Sequence, residues 1–191
     1  MLNQNFFNQP TLKVAQDLLG CFIIRKVGRK IIRAKIVETE AYNGPRDLAS
    51  HASRGRTARN AVMFGPAGMI YVYFTYGLHF MLNIVTGKTG YPAAVLIRAL
   101  EPVEAINHKS KIINLKFNGP ARLTKTLAIN KTFNHLPIFT RKHGLWLEKP
   151  TRQLQPKQII RAKRIGVDYA GAYKDKKWRY YLKDNNFVSK K

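Results

Sequence analysis

Cysteine, acid and long apolar runs are all scarce in this chain of 191 residues. Cys21 is the one cysteine, which excludes an intrachain disulfide and a cysteine-built zinc site. The five histidines show no paired ligand spacing, so neither a metal nor any other cofactor is expected. No apolar run approaches the ~20 residues of a membrane span. The opening residues, Met1 to Phe7, lack the basic-then-apolar layout of a secretion signal, and a cytoplasmic protein without a membrane partner is expected. Acids number 10 against 34 Lys and Arg, a formal net charge of +24. Such a surface attracts polyanions, nucleic acid first among them. An anionic membrane surface and a ribosome-like structural role are the other options. The membrane option is weakened because no Lys/Arg-rich stretch carries a clean apolar face.

The length fits one domain over residues 1–191, and hydrophobic residues at 45% suffice for a core. Thr11 after Pro10 reads as a helix N-cap, and Leu12, Ala15, Leu18 and Leu19 recur at helical spacing until Gly20. Residues 21–27 and 30–42 read as strands joined at Gly28-Arg29. A loop rich in Gly, Arg, Ser and Asn follows over 43–68. Strands are predicted at 69–74 and 78–85, around Thr75-Tyr76-Gly77, and at 93–100. Pro102 is expected to open a short helix, and Ala121, Leu123, Leu127 and Ala128 mark another. Short strands are predicted at 145–148, 159–167 and 178–182. Residues 185–191 read as a loose Lys-rich tail. Hairpins with a few helices and no βαβ alternation imply an α+β fold, a curved and mainly antiparallel sheet.

Only five glutamates exist, and two of them lie in Ile36-Val37-Glu38-Thr39-Glu40-Ala41-Tyr42. On a strand, positions 38 and 40 share a face with Ala34, Ile36 and Tyr42. Two carboxylates on an inward face are unfavourable unless something pairs with them or uses them. A buried salt bridge to Arg98, within the apolar run 94–100, accounts for them as well as catalysis does. The aromatics favour a site. Tyr71 and Tyr73 share a strand face, and Tyr76 sits at a turn tip. Strand tyrosines are usually core. In a very basic protein, though, one at a tip can wedge into a duplex where a nucleotide has been extruded. Tyr42, Tyr73 and His51 could then wall an extruded base. Arg46, Arg54, Arg56 and Arg59 among small residues suit phosphate contacts, or a solvated basic loop. Asn83 in the apolar run 81–84 is either a hydrogen-bonded core amide or a base-reading one.

Val37 to Tyr42, the Tyr71-to-Asn83 hairpin and Leu96-Ile97-Arg98-Ala99-Leu100-Glu101-Pro102 resemble the 3-methyladenine (alkylpurine) DNA glycosylases of the mammalian alkyladenine type, in a compact bacterial form. Asn118-Gly119-Pro120-Ala121-Arg122-Leu123, Leu127-Ala128-Ile129-Asn130 and Arg164-Ile165-Gly166-Val167 match in the same order, so the likeness runs over about residues 10 to 182. It implies a repair enzyme that flips damaged purines (3-methyladenine, 7-methylguanine, hypoxanthine or ethenoadenine) out of duplex DNA and hydrolyses the glycosidic bond. It assigns Glu40 as the base that activates water and Arg98 as its partner. Tyr42, His51 and Tyr73 sandwich the base, Ala49 and the His51 backbone bind its edge, Asn83 discriminates against guanine and Tyr76 is the wedge. Arg54, Arg56 and Arg59 are expected on phosphates, and the protein is expected to be a nucleoid-associated monomer with no obligate protein partner. Glu38 becomes a structural neighbour. Leu48, Ala58 and Ala67 stand where relatives often carry proline, which puts the loop's rigidity in question. Two other readings stay open: a non-catalytic nucleic-acid-binding module, and a glycosylase/lyase with a lysine nucleophile.

Overall fold

The computed structural model describes residues 1–75, 77–106, 115–152 and 154–191. The chain enters through two short helices, α1 (Gln4–Phe7) and α2 (Thr11–Asp17). Pro10, not Thr11, is the N-cap of α2; the Thr11 hydroxyl instead meets that of Thr86 at 3.1 Å. Strands β1 (Phe22–Val27) and β2 (Lys30–Asn43) follow, then β3 (Ile70–Thr75), β4 (His79–Val85) and β5 (Ala93–Ile106). Helix α3 (Pro120–Thr126) precedes β6 (Leu145–Glu148), β7 (Ile159–Ala162) and β8 (Arg179–Leu182). Among the described residues the strands form one curled sheet in the order β3-β4-β5-β2-β1-β6, with β8 beside β2 and β7 beside β8. Every pairing is antiparallel. The α+β architecture expected from hairpin spacing is the one observed.

Side-chain alternation gives the long central strands two jobs. Thr39, Val95 and Ile97 face α2 and the main core, where Val14, Ala15 and Leu18 are buried; the Thr39 hydroxyl donates to the Ala15 carbonyl at 2.7 Å. The opposite face carries a single cross-strand row, with Tyr71 opposite Asn83, Asn83 opposite Leu96, and Leu96 opposite Glu40. Bulges interrupt the β2–β5 register on either side of Glu38, so Glu38 pairs with Ala99 and Thr39 with Ile97. Arg98 is thereby left opposite neither, next to both glutamates. An extra residue of this kind re-aims a side chain.

Two expectations for elements fail. Pro102 opens no helix, because β5 runs through it to Ile106 and pairs it with Ala34 beside another bulge, one of the few places a sheet accepts proline. The strand expected over 159–167 ends at Ala162, and the chain then turns to bring Arg164 and Ile165 toward β2. No helix among the described residues is long and apolar enough to cross a membrane.

Candidate active site

The face carrying that row opens into a cavity of about 300 Å³, at the lower end of the ~300–1,000 Å³ usual for small-molecule sites. Its walls come from separate elements: Tyr71 and Tyr73 from β3, Met81 and Asn83 from β4, Leu96 and Arg98 from β5, and Tyr42 from the end of β2. Loop residues Ala49 to His51 and the turn Ile165 to Val167 close it. The structure therefore brings together all five expected base-binding residues (Tyr42, Ala49, His51, Tyr73 and Asn83) with Arg98.

Glu40 does not line the cavity itself but lies just behind its floor, fully buried. Its Oε1 accepts the Ile165 backbone N–H at 2.8 Å and lies 3.3 Å from Arg98 Nη1. Its Oε2 accepts the Tyr42 hydroxyl at 2.9 Å. Each of these partners lines the cavity, so the charge of Glu40 reaches the space through one layer of polar groups. Burial, then the neighbouring Glu40 charge, pushes the Tyr42 phenol well above its ordinary value; it stays protonated and donates.

The aromatic walls are electrically neutral. Burial, assisted by Arg59, lowers His51 to about 4, so near neutrality the imidazole carries no charge; its Nδ1 lies 2.8 Å from the Tyr71 hydroxyl. Burial pushes Tyr73 up to about 12. His51 and Tyr73 meet edge to face, 4.5 Å between centroids at 77°, so they form a corner, not parallel plates. The amide N–H₂ of Asn83 donates to the Tyr71 carbonyl at 3.2 Å and to that of Met81 at 3.4 Å. This is the hydrogen-bonded core amide, yet one side of it faces the cavity.

Loop 43–68 is folded tightly despite lacking the extra prolines. Asn60, buried, donates to the His51 and Gly55 carbonyls, each at 2.9 Å. Asp47 accepts the backbone N–H groups of Asn43 at 3.0 Å and Ala49 at 3.1 Å. Asp47 in turn takes a two-pronged contact from Arg164, at 2.6 and 2.8 Å, both side chains fully buried. The same guanidinium donates to the Ala41 carbonyl at 2.9 Å and lies 4.9 Å from the Tyr42 ring centre. One buried pair thus clamps the end of β2, Tyr42 and the loop that presents Ala49 and His51. Arg54, Arg56 and Arg59 remain on the exposed side. Arg59 lies 5.0 Å over the Tyr73 ring and donates to the Phe74 carbonyl at 3.1 Å, which puts it at the rim of the site. Tyr76 lies outside the described residues.

Comparison with known proteins identifies the family of the chain. The model of the methylpurine-DNA glycosylase family matches residues 5–186. The chain belongs to the methylpurine-DNA glycosylase family. Proteins provisionally named 3-methyladenine DNA glycosylase are similar along their whole length. One from Carboxydothermus hydrogenoformans is 44% identical over 196 residues, covering all of both chains. One from Methanocella arvoryzae is 42% identical over 197 residues, covering 100% of this chain and 96% of that protein. One from Legionella pneumophila is 39% identical over 189 residues, covering 99% and 98%. As a member of this glycosylase family, the protein is a DNA-repair hydrolase acting on N-glycosyl bonds.

Several residues of this cavity and its frame escape a residue-by-residue reading. Arg179 donates from Nη1 to Glu38 Oε1 at 2.8 Å, a partner the sequence did not indicate beside Arg98. Asp47, Arg164 and Ile165 belong to the frame, and Tyr169, 69% exposed at the cavity mouth, donates its hydroxyl to the Ala49 carbonyl at 3.2 Å. The one available signal was Arg164 standing directly before Ile165-Gly166-Val167, an obligate charge next to an apolar turn.

Proposed function

We propose that this glycosylase flips alkylated or deaminated purines (3-methyladenine, 7-methylguanine, hypoxanthine and ethenoadenine) from duplex DNA into the aromatic cavity and hydrolyses the C1′–N bond with water activated by Glu40. The observation that carries the proposal is the placement of Glu40: a fully buried carboxylate one layer behind a cavity walled by neutral aromatics, beside Arg98.

The reaction passes through an oxocarbenium-like sugar. A carboxylate held in a water-poor place by fixed donors opposes that developing positive charge strongly, because its dipoles need no reorganisation. Glu40 also accepts the proton that the attacking water loses. Arg98 places a positive charge beside the carboxylate. An alkylated purine is cationic and electron-poor, so Tyr42 and Tyr73 attract it by their ring faces, while neutral His51 adds no repulsion. Asn83, at the cavity wall, meets the base edge and disfavours guanine's exocyclic amino group. On sequence grounds Tyr76 fills the gap left in the duplex, offsetting part of the few kcal/mol of unstacking. Arg54, Arg56 and Arg59 sit on phosphates and give the binding its salt dependence. The enzyme acts as a monomer in the cytoplasm.

Duplexes carrying each lesion, incubated with the enzyme, should release the base and leave a strand that breaks only after alkali. Among the described residues none that lines the cavity is a lysine, so borohydride should trap no covalent adduct. Trapped adduct would establish the lyase reading. Equal affinity for damaged and intact duplex at fixed salt, with no base released, would establish the binding-module reading.

A further inference from the structure

The Lys-rich end of the chain, expected to hang loose, is stitched into the molecule at the catalytic floor. Asn185 donates its side-chain N–H to Glu101 Oε2 at 2.9 Å, Phe187 packs against the main core, and Val188 is buried. Beyond them the Ser189 backbone N–H donates to Glu38 Oε2 at 2.7 Å. The Lys190 carbonyl accepts from Arg179 Nη1 at 2.7 Å, the same nitrogen that holds Glu38 Oε1. Glu38 is fully buried, so each of these donors replaces water that the carboxylate has lost.

Arg98 makes this matter for chemistry. Its Nε lies 3.5 Å from Glu38 Oε1 and its Nη1 3.3 Å from Glu40 Oε1. Neither contact meets hydrogen-bond geometry, and Nε is buried with no hydrogen-bond acceptor among the described residues. One guanidinium is therefore shared loosely between two carboxylates, and its place depends on how well each is satisfied by others. From these contacts we propose that the last residues of the chain are a positioning element of the active site: the Ser189 N–H and the Lys190 carbonyl, acting through Glu38 and Arg179, hold Arg98 in register with Glu40. Deprived of that donor, Glu38 draws Arg98 toward itself, because a buried charge left short of partners claims the nearest one. Glu40 then loses its counter-charge at the cavity. This inference rests on the proposed roles of Glu40 and Arg98.

The test is a chain ending at Val188, which keeps the last buried apolar side chain. It loses the two backbone partners, the Lys charges and the Ser189 hydroxyl that accepts from Arg98 Nη2 at 3.5 Å, and it moves the terminal carboxylate to Val188. Ser189→Pro and Ser189→Ala separate these losses. Single-turnover base release should fall by about tenfold, the size of one charge-assisted hydrogen bond. Affinity for the lesion-bearing duplex should be matched by a full-length K190A/K191A protein, which lacks the same charges but keeps the backbone and the full rate. Ser189→Pro, which removes the N–H alone, should slow release as the truncation does, whereas Ser189→Ala keeps the donor and should lose about threefold or less. Adding Glu38→Gln to the truncated chain removes the stranded charge and should restore several-fold of the rate. That double variant also keeps the test open if the unpaired charge prevents folding. An undiminished rate in the truncated protein, or no recovery on adding Glu38→Gln, overturns the proposal. Release by Glu40→Gln at the parental rate would instead overturn the underlying role of Glu40.

Discussion

Glu38 and Glu40 sit two residues apart on one strand, equally buried, on the same face, and within reach of the same arginine. What separates them is the company they keep. Glu38 is enclosed by Arg179, the Ser189 N–H and Arg98. Glu40 is held by Tyr42, the Ile165 N–H and Arg98, all of which also face the cavity. Burial therefore does not tell the two carboxylates apart; adjacency to the cavity does, and the proposed catalytic role of Glu40 rests on that difference.

The largest expected effect lies at Glu40. Glu40→Gln keeps the shape and removes the charge and the basic oxygen, so single-turnover release of 3-methyladenine or hypoxanthine should fall by about 10³-fold or more. Its melting temperature should fall only modestly, since the amide oxygen still accepts from the Ile165 N–H and the amide N–H₂ can donate to the Tyr42 hydroxyl oxygen in place of the bond it loses. Release at the parental rate would transfer the catalytic role elsewhere. The converse holds at Glu38. Glu38→Leu strands Arg179 and Arg98 without their carboxylate, and breaking a buried pair from one side costs about 3–5 kcal/mol of stability. Urea unfolding should show that loss; a stability equal to the parent would mean that the Glu38 network contributes nothing net.

The contrast also explains what a reader of the sequence can see. Two carboxylates in an apolar strand stand out locally, as do the tyrosines of β3 and the hairpin at Gly28. Those features follow from period-two alternation and turn chemistry, which neighbouring residues express. The choice between the two glutamates does not, because Arg179 lies 141 residues from Glu38 and Ile165 lies 125 from Glu40. The tail was misread for a related reason. Its lysines suggest a solvated end, but beyond Val188 it is tied mainly through a backbone N–H and a carbonyl, groups that every residue except proline carries and no composition displays. Pro102 was misread because what admits it is a bulge at the adjacent Val103, set by the register of β5 against β2 and not displayed by composition.

Smaller effects test how Glu40 is coupled to the walls. Tyr42→Phe keeps the ring for stacking but removes the donor to Glu40 Oε2, so release should slow by about tenfold while lesion affinity holds. Parallel losses of rate and affinity would show that the phenol serves binding, not the carboxylate.

The smallest and most specific effect concerns His51. Burial holds this imidazole near 4 in the folded protein, against about 6.5 in an unfolded chain. Its folded pKa is depressed, so between those values the unfolded state binds the extra proton. Stability contributed by neutral His51 is full above the unfolded pKa and declines as pH falls from about 6.5 toward 4. Its ring signals in NMR should consequently stay those of the neutral form from pH 8 down to about 5, and His51→Gln should flatten the acid side of the stability curve. A cationic purine entering the cavity would then never face a charged imidazole at the pH where the enzyme works. Observation of His51 protonating near 6.5 would mean that the wall beside Tyr73 is positive through much of that range, and that Glu40 and the tyrosine rings attract cationic bases against that charge.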